Sequence, residues 1–442
     1  MPKKAINHAS HLSDEVLLAE LAKRKAKKMA SFKTLTEIEL ALEKEKAELG
    51  EDSMIEVLLQ RCRDENAKPR ACPICGQKAY VEKKKAPRKL QTLSGMQTYL
   101  RHYFRCKKCH HGFAPVDDEL QIPVDGQVSL EVEKRIADFG VNDVFAEAAS
   151  RFSMHYSFEI SDNLVRRVVD RIGLVMESIS EEKLQEALRP ASTTSTELLT
   201  ISVDGSMLST RAGYKETKLG IVVRGEHHLK GKKKKRGIIT QARYVAATDV
   251  NEMENRLWAA ALASGIDSAK KIAFVSDGAI WIRLLAEKLF PNATHILDWM
   301  HAVSHLMACG KALLGENHLL LSSWENTTLS LAWNGQIDEL ISQLNELLAE
   351  DVPVLAVMNL RNYLSDNKSR MQYAEFAATG LPTGSGIIES AHRYVLQARM
   401  KRSGQHWEPV KCHRMAKLRA ASRTGGIHFV GRIRSALRKS GT

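Results

Sequence analysis

Two short apolar runs in this chain each lead into an aspartate followed by glycine: ISVDGSM carries Asp204 and AFVSDGAIW carries Asp277. A third run, THILDWMH, reaches Asp298 and, three residues on, His301. An Asp-Gly pair alone is most simply a turn. Two carboxylates at matching ends of neighbouring strands mean something else. They repel each other, and a divalent cation between them relieves the repulsion. A pair of Mg2+ (or Mn2+) ions held by Asp204 and Asp277 would stabilise both the attacking and the leaving oxygen of a phosphodiester displacement. The glycine after each aspartate lets backbone or substrate come close.

A third carboxylate is expected on a helix over the same edge, and TGSGIIESAHRYVLQARMKRSG supplies Glu389, one turn past a Gly-Ser-Gly loop. A glutamate in a first helical turn also simply favours the helix dipole. His392, Arg393, Arg399, Lys401 and Arg402 follow, a run suited to phosphate contact, although spacing assigns no face to Arg393 or Arg399.

Four cysteines make a second constellation. Cys72-x2-Cys75 and Cys106-x2-Cys109 are matched pairs that can close a tetrahedral four-thiolate shell around one Zn2+. Such a shell leaves no open position, so the metal would be structural. The alternating Lys-, Thr- and Tyr-rich stretch between the pairs reads as the hairpin of a zinc ribbon. Seven cysteines without a secretion signal argue against a disulfide framework.

The surrounding elements follow from periodicity. Residues 1–69 read as helix, 70–125 as the ribbon, and 126–190 as helix again, with Ser161 a candidate N-cap. In 126–190 a helix-turn-helix would turn Arg166, Arg167 and Arg171 towards DNA, while plain helical packing accounts for the same pattern. Residues 198–301 run β-β-β-α-β-α-β. Three antiparallel strands are followed by two parallel additions through crossover helices, which is the order of a ribonuclease H-like core. Its second loop carries Lys232, Lys233, Lys234 and Lys235. Residues 302–380 read as several helices, and 381–442 as the Glu389 helix and a basic tail. The fold expected is thus multidomain α/β, with a mixed-sheet core preceded by helices and a zinc ribbon.

The formal net charge of +13 favours a polyanionic partner, nucleic acid before membrane. No run of apolar residues is long enough to cross a bilayer, and MPKKAINHASHLSDE lacks a signal-peptide core, so the cytoplasm is the default location.

Taken in order, CPIC…CKKC, VDGSM, VSDGAIWI, LDWMH and GSGIIES…RMKRSG resemble an insertion-sequence transposase of the ISKra type, in the Mutator-like group of DDE transposases. The resemblance implies that Asp204, Asp277 and Glu389 form the acidic triad. It implies Mg2+-dependent cleavage at transposon ends and strand transfer to target DNA, with double-stranded terminal repeats as partner and at least a homodimer. It further implies that Asp298 and His301 form the group's Asp/Cys-x-x-His motif at the active edge, and that 302–380 is its helical insertion. The alternatives are a ribonuclease H-like nuclease such as a resolvase, and a catalytically inactive DNA-binding protein of transposase origin.

Overall fold

The computed structural model describes residues 13–29, 31–32, 34–63, 67–123, 126–156, 158–230, 237–316, 318–349 and 354–439. The chain divides into two compact units, residues 1–133 with 153–159, and residues 134–152 with 160–442. Lys232, Lys233, Lys234 and Lys235 lie outside the described residues.

The first unit begins with helices Asp14–Met29 and Leu35–Arg63. The second starts at a reciprocal cap: the Glu37 amide donates to Thr34 Oγ1 and the Thr34 amide donates back to the Glu37 carboxylate. It continues through Gly50, because the flanking good helix formers outweigh the cost of one glycine, about 1 kcal/mol. Strands β1 (Arg70–Ala71), β2 (Lys78–Thr92), β3 (Gly95–Cys106) and β4 (Gly112–Phe113) then form one antiparallel sheet in that order. The long β2–β3 hairpin is fixed by Asp117, a buried carboxylate. It accepts from Tyr99 Oη at 2.6 Å, Arg88 at 2.8 Å and Arg101 at 2.5 Å. A buried charge is tolerable only when paired and hydrogen-bonded in this way.

The second unit is built on a five-stranded sheet. Its members are β5 (Leu199–Thr210), β6 (Gly213–Arg224), β9 (Arg243–Ala247), β10 (Ile272–Ser276) and β11 (Thr294–Leu297). Between β6 and β9 lies a small hairpin of β7 (His228–Lys230) and β8 (Gly237–Ile239). The sheet order is β11-β10-β5-β6-β9. β5, β6 and β9 are antiparallel neighbours, while β10 runs parallel to both β5 and β11. The cause is local. Gly213, at φ +86°, closes a tight turn that reverses β5 into β6, whereas helices Val250–Ala263 and Ile280–Leu289 return the chain so that later strands point the same way.

Strand alternation divides the core in two. Phe274 joins Ile201, Val203, Leu257 and Ile282 on one face. Its neighbours Ala273 and Val275 join Leu297, Leu306, Leu340 and Tyr373 on the other. That second face is covered by helices Trp299–Leu314, Leu321–Trp333, Ile337–Leu348, Val354–Asn367 and Tyr373–Ala378. Trp299 meets Trp333 and Tyr373 edge-on at 5.0 and 4.8 Å between ring centres, so these aromatics are core.

Two buried arginines tie the unit together without a carboxylate. Arg243 donates to the carbonyls of Gln185, Arg189, Pro190 and Ala263. Arg419 donates to those of Val141, Tyr394 and Val395. Both gather carbonyls from several separate segments around one guanidinium, whose donors are thereby satisfied inside the core. Helix Asp162–Glu177 is capped by Ser161, whose Oγ accepts from the Leu164 amide at 3.2 Å. It buries Val165, Val168, Val169 and Ile172, and its Gly173 admits the Arg414 side chain.

Candidate active site

The first unit carries four thiols at the turns of its ribbon. Cys72 Sγ lies 3.5 Å from Cys109 Sγ, and Cys75 Sγ lies 3.5 Å from Cys106 Sγ. All four sulfurs are within 4.8 Å of one another, and among the described residues no other group of acids, histidines and cysteines converges so closely. The amide of Cys109, with that of Lys108, overcomes burial and draws the Cys106 thiol down to about 6. Four thiols at this spacing can bind one Zn2+, and the set leaves no place for a substrate ligand.

The second unit carries the acidic edge. β10 pairs with β5 as Val275 with Ser202, and with β11 as Ser276 with Leu297. Continued by one or two residues, that register sets Asp204, Asp277 and Asp298 side by side across three parallel strands. The Asp298 amide still donates to the Ser276 carbonyl at 2.8 Å. Asp204 is in mid-strand and its Oδ1 accepts from the Gly205 amide. Asp277 lies just past its strand, and its Oδ1 accepts from the Ala279 amide at 3.0 Å. Asp298 caps the helix that begins at Trp299 and also accepts from the Ser385 amide at 3.0 Å. Through that bond it holds the loop preceding the Glu389 helix.

Helix Gly386–Ala391 passes over this edge and widens into a π-helical turn, His392–Gln397. The Tyr394 and Val395 carbonyls of that turn are the ones Arg419 satisfies. A cavity of about 380 Å³ lies below the helix, bordered by Asp204, Asp277, Asp298, His301, Ser385, Glu389 and His392. Burial raises the Asp277 carboxyl, and the charges of Asp204 and Asp298 add to that against the Ala279 amide and His301. Behind it, Tyr363 packs on Gly278 and stacks on His305 at 3.9 Å.

A family model matches residues 31–435. The chain belongs to the uncharacterised protein family UPF0236. No curated protein matches it. Among solved structures, the Drosophila P element transposase strand transfer complex is similar at 10% identity, covering 67% of this chain and 92% of that one. The TM-score is 0.31, a likeness too slight to carry an argument.

Of the residues singled out by sequence in this UPF0236 chain, Asp204, Asp277, Glu389, Asp298 and His301 border one cavity. Glu389 is the most open of the triad, its side chain 78% exposed and 3.9 Å from Arg393. Arg399 is a correction. Its place in the basic run suggests phosphate contact, but it is 1% exposed and stacked on Phe145 at 4.9 Å and Trp407 at 5.1 Å. The helix turns it inward, where two aromatic faces hold the cation. Arg393, Lys401 and Arg402 are exposed, with Arg402 3.2 Å from Glu147. Arg166 and Arg167 face outward, Arg166 over the Phe145 ring, and Arg171 is half-buried. The third strand is also shorter than the motif THILDWMH suggests. It stops at Leu297, because Asp298 caps a helix there, its side chain accepting from the Met300 amide.

His392 is the residue whose place sequence reasoning missed. It is 5% exposed, and its Nε2 lies 3.1 Å from Asp204 Oδ2. The contact is close enough for an ion pair but off the hydrogen-bond direction, so this buried nitrogen has no hydrogen-bonded partner. The available signal was the spacing Glu389-x2-His392, which sets both residues on one helical face.

Proposed function

We propose that this chain is a DDE-type DNA transposase on a ribonuclease H-like core, with Asp204, Asp277 and Glu389 as its acidic triad. The observation that carries the reading is the sheet: an order of β11-β10-β5-β6-β9, with three aspartates level across β5, β10 and β11 beneath a helix bearing Glu389. The ISKra-type motifs in the sequence point the same way.

The donor set suits hard divalent cations. Carboxylate oxygens favour Mg2+ or Mn2+. The acids are spread more widely than a single closed shell, since no three of their oxygens lie within 4.8 Å of one another. Two ions sharing the site would each need only part of the acidic set. Bound there, the ions would offset the negative charge that develops on the attacking and leaving oxygens of a phosphodiester.

The chain's own groups have distinct tasks. Asp204 and Asp277 supply oxygens from adjacent strands, so the sheet fixes their separation. Asp298 fixes the Ser385 loop and with it the approach of the Glu389 helix. His301 offsets negative charge beside Asp277. Exposed Arg393, Lys401 and Arg402 follow Glu389 on the same polypeptide and would hold DNA phosphates. The ribbon of 70–125 and the helices of 126–190 would bind the terminal repeats, and 302–380 would be the helical insertion. Two copies would bring two ends together.

The experiment is cleavage of a labelled duplex carrying the DNA that flanks the coding sequence, with Mg2+ present. The expected result is end-specific cleavage by the wild type and a loss of about 10²–10³-fold in Asp277→Ala, the scale for one electrostatic stabiliser. Equal cleavage by both proteins contradicts the assignment.

A further inference from the structure

We propose that His392 is a metal ligand at the acidic edge, its Nε2 binding the same divalent cation as Asp204, so that the site favours Mn2+ over Mg2+. The inference rests on the two-ion reading above and adds to it a nitrogen donor outside the acidic triad.

Three observations carry it. First, His392 Nε2 is buried and lacks a hydrogen-bonded partner. A buried polar nitrogen left unsatisfied is costly, so an unpaired ring nitrogen calls for a ligand. Second, the nitrogen borders the same cavity as Asp204, Asp277 and Glu389. Third, it stands 3.1 Å from Asp204 Oδ2. Two adjacent ligand atoms, each about 2.1–2.2 Å from one octahedral ion, are separated by roughly 3 Å. The pair therefore has the spacing of neighbours in a coordination shell, and it lacks the alignment of a hydrogen bond.

The other candidates are less suited. His301 has aromatic company, its ring 5.0 Å from that of His305 and 6.3 Å from Tyr363. Glu389 is on the same helical face as His392 but its carboxylate is open to water. Glu389 can serve the second ion while His392 completes the first. Neutral imidazole donates through its ring lone pair and binds Mn2+ better than Mg2+, which demands hard oxygen ligands. A histidine here thus sets metal choice.

The test is Mn2+ titration of the full chain, followed by pulsed electron paramagnetic resonance. A directly bound imidazole nitrogen gives a ¹⁴N coupling to Mn2+. The wild type is expected to show this coupling, His301→Gln to keep it, and His392→Gln to lose it with affinity lowered about tenfold or more. His392→Asp, with folding verified by circular dichroism, is expected to regain affinity and shift preference towards Mg2+. The inference is overturned if Mn2+ binds in an Asp277-dependent manner without ¹⁴N coupling, or if the coupling persists in His392→Gln. That outcome leaves the acidic triad intact. Absence of any Asp277-dependent Mn2+ binding in the wild type refutes the inference and the parent reading together.

Discussion

At the scale of single residues, Asp277 is the group of the edge whose carboxyl is held raised. Its carboxyl is raised above its ordinary value near 3.8 by burial and by the charges of Asp204 and Asp298. A carboxyl raised in the folded state contributes stability below its unfolded pKa, and that contribution is lost as the pH rises through the folded value. The metal-free protein is therefore expected to lose stability as the pH climbs out of the carboxylate range. Asp277→Asn removes the repulsion and keeps the Ala279 hydrogen bond. Its melting temperature at pH 7, without metal, should exceed that of the wild type, and the gap should close towards acid pH. A less stable Asp277→Asn at pH 7 would show that the repulsion is not felt. The aspartates themselves were legible in sequence, since each ends an apolar run. The role of Asp298 as a cap shared between the Met300 and Ser385 amides was not, because it depends on a loop 87 residues away.

At the scale of elements, strands and helices of the core follow their sequence patterns closely. The β-hairpin and the two crossover helices stand where alternation and helical periodicity set them, and Asp249 caps its helix through the Glu252 amide. The π-turn at His392–Gln397 left no such mark, since it depends on Arg419 reaching carbonyls from a separate helix. The inward turn of Arg399 was hidden for the same reason: Phe145 and Trp407 lie far from it in sequence or on another element. Arg399→Ala is expected to destabilise the protein by about 2–4 kcal/mol, through lost packing and cation–aromatic contact. Thermal unfolding checks this. An unchanged melting temperature with weakened DNA binding would return Arg399 to the DNA surface. In the ribbon, one Zn2+ per chain is expected by metal analysis, and Cys106→Ser should release it and loosen the 70–113 sheet. A protein prepared without chelator that contains no zinc contradicts the ribbon assignment.

At the scale of the whole molecule, the positive charge and the acidic edge make a joint demand. Cationic residues such as Arg393, Lys401 and Arg402 are exposed, while the catalytic candidates are anionic and need cations before a phosphate can approach. DNA binding should therefore be strongly salt-dependent, falling about a thousandfold between roughly 50 and 200 mM salt if six or more phosphates are contacted. A flat salt profile, followed by fluorescence anisotropy, contradicts a phosphate-dominated interface. Fold-level order was readable because each strand carries its own pattern. The division into two units was not, because it depends on which helices pack together and not on the pattern of any one of them.

On the reading proposed, Asp204 and Asp277, from adjacent parallel strands, share divalent cations in one cavity. Anomalous diffraction at the manganese edge, from crystals grown with Mn2+, tests it most directly. Anomalous peaks are expected in the cavity between Asp204 and Asp277, absent in Asp277→Asn. A saturating Mn2+ concentration that leaves the cavity without a peak would contradict it.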